Sequence, residues 1–284
     1  MIRHLSHFIF LSLLLSSSVT AETATGANNN FRQRISQTTL INDADIAEDI
    51  RAEISFGREL ATVVISDYPL LENLELQRYL NLVMQRLLQF GDRQELTYHI
   101  AILNSDEVNA YTTPGGYIFV SRGALKEMQD EAELAAVIAH EIAHVNRRHI
   151  VNELQIRGEA DPLQAGIGQF FAGFSDAARV ALEQAIDTAL DLLFGNGLKQ
   201  ADEFDADASS TLLLAQAGYD ATALERYLQR IAPLQGESMR VLVTTHPTFA
   251  DRISRLAAIY QQEGITAAHG DRHQQRFTRH FHRS

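Results

Sequence analysis

Ala139-His140-Glu141-Ile142-Ala143-His144 is the stretch on which the reading of this chain turns. It is an H-E-x-x-H pattern inside residues 131–150, a run of helix-forming composition. Side chains four residues apart share one helix face at about 5–6 Å, so His140 and His144 can both reach one Zn²⁺ at about 2.0–2.1 Å. Glu141 projects beside them, where a carboxylate can take a proton from a water that the metal activates. Asp130 with Glu133 resembles a capping pair that starts the helix. Leu134, Val137 and Ile138 make the approach to the motif apolar, unlike a surface helix with incidental histidines.

Ahead of this stretch the chain opens with Arg3, the apolar run 8–15 and Ser-rich residues closing on Val19-Thr20-Ala21. That order of charged, apolar and small-x-small segments predicts an export signal over residues 1–21. Its apolar run is far shorter than the roughly 20 residues that span a bilayer, and no later stretch is long and charge-free enough to do so. There is no cysteine, so neither a disulfide nor a thiol-linked lipid is available, and a bacterial periplasm is the expected address. The net charge is −12, and losing Arg3 with the signal makes it more negative still. Nucleic acid and anionic lipid are poor partners for such a chain.

Residues 22–43 are polar, rich in Asn, Thr and Gln, and read as a linker before one domain over 44–262. A helix is expected over 44–66, ended by Ser66-Asp67-Tyr68-Pro69. Another over 74–90 has Leu76, Tyr79, Leu80, Val83 and Leu87 at helical spacing, with Gly91 as its stop. Strands are expected over 96–103 and 116–121, the second following a Pro114-Gly115-Gly116 turn. Beyond the motif helix come a Gly- and Phe-rich segment at 165–174 and an amphipathic helix over 176–194. Its stripe of Leu182, Ile186, Ala189, Leu190 and Leu193 predicts packing on the body of the domain, with a cover over the cleft as the alternative. Helices over 198–217 and 222–231 follow, and a last one starts at Pro247 and carries Phe249, Ile253, Leu256 and Tyr260. Residues 263–284, basic and His-rich, read as a disordered tail. The fold class is α+β, mainly helical, with a small sheet before the motif helix.

Two helical histidines leave zinc short of ligands. Continuing the motif in the metzincin manner needs Gly at 147 and His at 150, where this chain has Arg147 and Ile150. His149 falls in helical register with Ile138, Ile142 and Val145, away from the His140–His144 face, and reads as a structural histidine. The segment Asp202-Glu203-Phe204-Asp205-Ala206-Asp207 offers carboxylates, and Glu203 and Asp207, four apart, share a face. One of the two can bind the metal while the other receives an N–H from a ligating imidazole.

With these motifs the chain resembles the gluzincin metallopeptidases of peptidase family M48, which has membrane-embedded and periplasmic members. The resemblance runs from about Ile46 to Tyr260. It rests on Asn109-Ala110-Tyr111, Pro114-Gly115-Gly116-Tyr117-Ile118-Phe119-Val120, the H-E-x-x-H stretch, Glu203-Phe204-Asp205-Ala206-Asp207, Ala217-Gly218-Tyr219-Asp220 and Thr245-His246-Pro247 with Arg252. It implies Glu203 as third zinc ligand beside His140 and His144, Asp207 behind a ligating imidazole, and Asn109, Ala110 and Tyr111 along a substrate-binding strand edge. His246 and Arg252 become the candidates to stabilise charge in the transition state. His246 could instead turn toward the metal and hold the enzyme off, with residues 165–194 biasing that switch. Where periplasmic relatives carry a helical-repeat domain, this chain is expected to have the catalytic domain without it.

The function so implied is an exported zinc endopeptidase, with one zinc ion per chain, acting on unfolded or misassembled envelope proteins. Glu141 is its proton carrier, and envelope assembly machinery is a possible partner. The alternatives are a periplasmic chaperone or assembly factor with latent protease activity, and a hydrolase of a non-protein envelope component.

Overall fold

The structure, a computed structural model, describes residues 43–157, 176–266 and 270–281. The expected export signal, the linker up to residue 42 and the segment 165–174 lie outside the described residues. In chain order the elements are α1 (Asp43–Asp67), α2 (Leu74–Leu88), β1 (His99–Leu103), β2 (Ala110–Thr113), β3 (Tyr117–Ser121), α3 (Arg122–Glu127), α4 (Glu131–Asn146) and α5 (His149–Glu153). They continue with α6 (Asp176–Phe194), α7 (Gln200–Ala217), α8 (Ala223–Ile231), α9 (Arg240–Thr245), α10 (Phe249–Glu263) and α11 (Gln274–Phe281). The class is α+β, as the sequence predicts.

The sheet has the order β1-β3-β2, with β1 parallel and β2 antiparallel to β3. The expected strand over 96–103 begins only at His99, and β2, absent from the periodicity reading, is an edge strand. Its return into β3 is made by Pro114-Gly115-Gly116, both glycines having positive φ (76° and 92°). At Gly115 a Cβ would stand 2.8 Å from the Cα of Ile54, so this turn also needs the missing side chain to pack on α1. Alternation along β3 splits the core. Ile118 and Val120 join α2, α4, α7 and α8, whereas Phe119 joins Tyr111, Leu60, Val64 and Leu193 on the other face.

The motif helix α4 is the axis of the domain. Every residue from 131 to 145 is buried, and α7 packs along it. Asp130 caps it by accepting from the Glu133 N–H (3.0 Å), while Glu133 accepts from the Gln129 N–H (2.8 Å). The charges of this buried start are met by α8, where Arg226 lies 2.9 Å from Asp130 and 2.7 Å from Glu133. Helix α4 stops at Asn146, short of the expected 150, because Arg148 adopts the left-handed conformation (φ 58°, ψ 34°). A non-glycine residue there is uncommon and costs of the order of 1–3 kcal/mol.

Helix α6 packs on the body, as its apolar stripe predicts. Ala189 and Leu193 are buried, and the Phe194 ring stacks on Tyr68 with centroids 5.3 Å apart and lies 4.7 Å from Tyr111. The last long helix starts later than expected, at Phe249. Thr248 caps it by accepting from the Asp251 N–H at 3.2 Å, so Pro247 precedes the cap and His246 ends the short helix α9.

The reading of 263–284 as a disordered tail is overturned for residues 270–281. Asp271 bridges to Tyr219, the Ala132 N–H donates to the Arg272 carbonyl at 3.2 Å, and α11 buries Phe277. Arg276 pairs with Glu131, a carboxylate 1 % exposed that also accepts from the hydroxyls of Tyr79 (2.7 Å) and Tyr219 (2.8 Å). A buried carboxylate needs a cation, and here the tail supplies it. Burial of Phe277 adds roughly 1.5–3 kcal/mol.

Candidate metal centre

His140, Glu141 and His144 are carried on α4 and buried, at 4, 5 and 4 % exposure. Helix α7 lays Glu203 and Asp207 against them, and the junction after α9 brings in His246. His140 Nε2 and His144 Nε2 are 3.1 Å apart, and each lies 3.5 Å from an oxygen of Glu203. His246 Nε2 is 3.4 Å from Glu203 Oε2, and His140, Glu203 and His246 offer ligand atoms within 4.8 Å of one another. Four ligands at about 2.0–2.1 Å in a tetrahedron are separated from one another by about 3.3–3.4 Å. The separations of 3.1–3.5 Å are close to that spacing, His140 and His246 facing Glu203 Oε2 and His144 facing Oε1. Glu203 Oε2 is moreover buried with no hydrogen-bond partner, as suits an atom reserved for a cation.

Behind these groups stands a second layer. His140 Nδ1 lies 3.0 Å from Asp207 Oδ1. Arg252 holds both Asp207 oxygens, through Nε (2.9 Å) and Nη2 (2.6 Å). Arg252, expected as a donor to developing negative charge, is thus the support of Asp207, although it still borders the pocket beside Glu141. His246 is fixed from the other side by Thr245 Oγ1, 2.9 Å from its Nδ1. Its extended backbone (ψ 156°) is what the following proline demands.

Burial dominates the electrostatics. It pushes the Glu141 carboxyl up to about 7 and the His246 imidazole down to about 4, and it holds His144 well below the usual histidine range. At His140 burial is outweighed by Asp207 and Glu203, which raise it to about 9. Asp207 is likewise opposed by burial, yet Arg252 and His140 bring it to about 2. The neutral imidazoles of His144 and His246 present lone pairs, the form that binds a metal.

Sequence reasoning misplaced His149. The turn at Arg148 swings it back, so that its Nδ1 lies 2.9 Å from His144 Nδ1. Its Nε2 faces Asp205 Oδ2 at 3.4 Å. The expected substrate edge does meet the site. Asn109 and Ala110 line a pocket of about 40 Å³ with Glu141, His246 and Arg252, whose inner wall is Val137, Leu224, Tyr227 and Leu242. Ala110 and Tyr111 line a second, of about 30 Å³, closed by Leu193, Gly197 and Leu198. The apolar walls from α8 and α9 had no signal in the sequence beyond their helical periodicity. A larger cavity of about 400 Å³ lies away from this centre, between α2 and α11. The convergent ligand atoms, not the cavity size, mark the site.

A buried H-E-x-x-H helix closed by a carboxylate from a second helix defines a candidate metallopeptidase centre. The chain belongs to peptidase family M48, whose family model matches residues 74–260. It is similar to the beta-barrel assembly-enhancing protease of Escherichia coli, 24 % identical over 225 residues that make up 74 % of this chain and 45 % of that one. It is also similar to the mitochondrial metalloendopeptidase OMA1 of Arabidopsis thaliana, 28 % identical over 57 % of this chain and 31 % of that one. Protease HtpX of Xylella fastidiosa is 31 % identical over 57 % of this chain and 67 % of its own length. The chain spans less than half the length of the barrel-assembly proteases it matches.

Proposed function

We propose that this chain is an exported zinc-dependent endopeptidase that cleaves unfolded or misassembled cell-envelope proteins. The observation that carries the reading is the convergence of His140, His144 and Glu203 within 3.1–3.5 Å of one another, with Glu141 buried beside them. When bound by these three residues, zinc supplies a Lewis acid that polarises the scissile carbonyl and lowers the pKa of the attacking water toward about 7. Glu141, poised near neutrality by burial, takes the proton and returns it to the leaving nitrogen. Asp207 and Arg252 keep His140 oriented. The edge of β2 that pairs with no further strand among the described residues takes an extended substrate by main-chain hydrogen bonds, a mode open to unfolded chains. The periplasmic address rests on the reading of residues 1–21, and the choice of envelope proteins as substrates is supported by the name of the bacterial relative, a beta-barrel assembly-enhancing protease. Among the described residues no helix is long and apolar enough to cross a membrane.

His246 stands where a fourth ligand would stand, 3.4 Å from Glu203 Oε2, which favours a latent enzyme. His246→Ala is therefore expected to raise cleavage of unfolded casein several-fold. Unchanged cleavage would remove any regulatory role, and lower cleavage with zinc retained would make His246 a transition-state donor. The same observation favours, as a second reading, an assembly factor whose protease is normally held off.

The ligand set is tested by metal analysis. Wild type is expected to bind one zinc ion per chain, and Glu203→Ala to lose stoichiometric binding while keeping its helical circular dichroism. Full occupancy in Glu203→Ala would exclude that residue as a ligand.

A further inference from the structure

His140 and His144 are supported by different devices. His140 Nδ1 faces a carboxylate directly, Asp207, which is itself clamped by Arg252. Among the described residues His144 Nδ1 faces no carboxylate and meets another imidazole, His149 Nδ1, at 2.9 Å in a buried contact. Beyond it, His149 Nε2 lies 3.4 Å from Asp205 Oδ2 and 3.9 Å from Asp202 Oδ1. Asp205 is held in turn by Arg147, whose Nε is 3.2 Å away. One turn of α7 thus carries Glu203 and the carboxylates behind both imidazoles.

We propose that His149 is a positioning residue that sets the tautomer and ring orientation of His144 for metal binding. This role presupposes the zinc centre proposed above. For His144 to offer its Nε2 lone pair to a metal held together with Glu203, its proton must sit on Nδ1. That N–H donates to His149 Nδ1, whose lone pair must then be free, and the His149 proton sits on Nε2, facing Asp205. With His149 neutral, the chain Arg147–Asp205–His149–His144 admits one arrangement of protons in which each contact joins a donor to an acceptor. The backbone is bent to build it. In an unbroken helix residue 149 would lie about 140° around the axis from residue 144; the left-handed Arg148 (φ 58°) redirects it onto the His144 ring. Partners of this kind fix ligand geometry, and their loss weakens metal binding about 10–100-fold.

The test measures zinc affinity, by competition with a chromophoric chelator, together with the melting temperature of the metal-free protein. His149→Leu is expected to weaken zinc binding about 10–100-fold with little change in metal-free melting. His149→Asn, whose amide oxygen can accept in place of Nδ1, is expected to recover most of the affinity. Wild-type affinity in His149→Leu overturns the role. An affinity loss that tracks a fall in metal-free melting and is not rescued by Asn also overturns it, since His149 would then only pack. If His149→Leu does not fold, Asp205→Asn decides. A smaller loss in the same direction supports the relay, and wild-type affinity overturns it. Absence of zinc binding by wild type itself would remove the zinc reading and this role together.

Discussion

Glu141→Gln is expected to lower cleavage of unfolded casein by about 10²–10⁴-fold, the usual contribution of a positioned acid–base group, while zinc content and melting temperature stay at wild-type values. The side chain is 5 % exposed and none of the metal-facing contacts of His140, His144 or Glu203 runs through it, so an amide of the same shape leaves the ligands in place. It cannot, however, accept a proton. Burial raises the carboxyl above the usual carboxylate range, to about 7, and the group adjoins His140 in the chain, where it can take a proton from the attacking water and return it. Equal cleavage by Glu141→Gln and wild type would exclude Glu141 as the proton carrier. The same variant separates the rival functions: an assembly factor keeps its biological activity with Gln at this position, and a peptidase loses it. Release of cell-wall fragments without peptide cleavage would favour a hydrolase of a non-protein envelope component.

Arg252→Met is expected to destabilise the metal-free protein by about 3–5 kcal/mol, because it strands a buried carboxylate. In a domain of this size that lowers the melting temperature by roughly 10 °C. The pair is bidentate, at 2.9 and 2.6 Å, with side chains 3 % and 1 % exposed, so water cannot replace the guanidinium. Zinc affinity is expected to fall as well, since Asp207 would no longer be held against His140 Nδ1. The double variant Asp207→Asn/Arg252→Met removes the lone charge and is expected to recover much of the stability lost in Arg252→Met. Additive losses in that cycle would show that the two side chains do not act as a unit.

The sequence by itself determined the features whose physics is local. An i, i+4 pair of histidines is a statement about one helix face, and Glu203 with Asp207 obeys the same rule. Asp130 and Glu133 marked the start of α4, and Pro114-Gly115-Gly116 marked a turn that only glycine backbones can make. Tertiary structure alone decided whatever depends on distance in space. The run to residue 150 has helical composition throughout, so a break at Arg148, an arginine in the left-handed region, leaves no compositional mark. That break brings His149 to His144. Arg252 finds Asp207 across 45 residues, and Arg276 finds Glu131 across 145. A basic, His-rich stretch reads as solvated until the buried carboxylate that needs it is known. Coulomb and hydrogen-bond energies fall with separation in space and take no account of separation along the chain. Periodicity could therefore name His140, His144 and the Glu203/Asp207 pair, and the family resemblance added His246 and Arg252, whereas only the packing of α7, α10 and α11 on α4 could assign their partners.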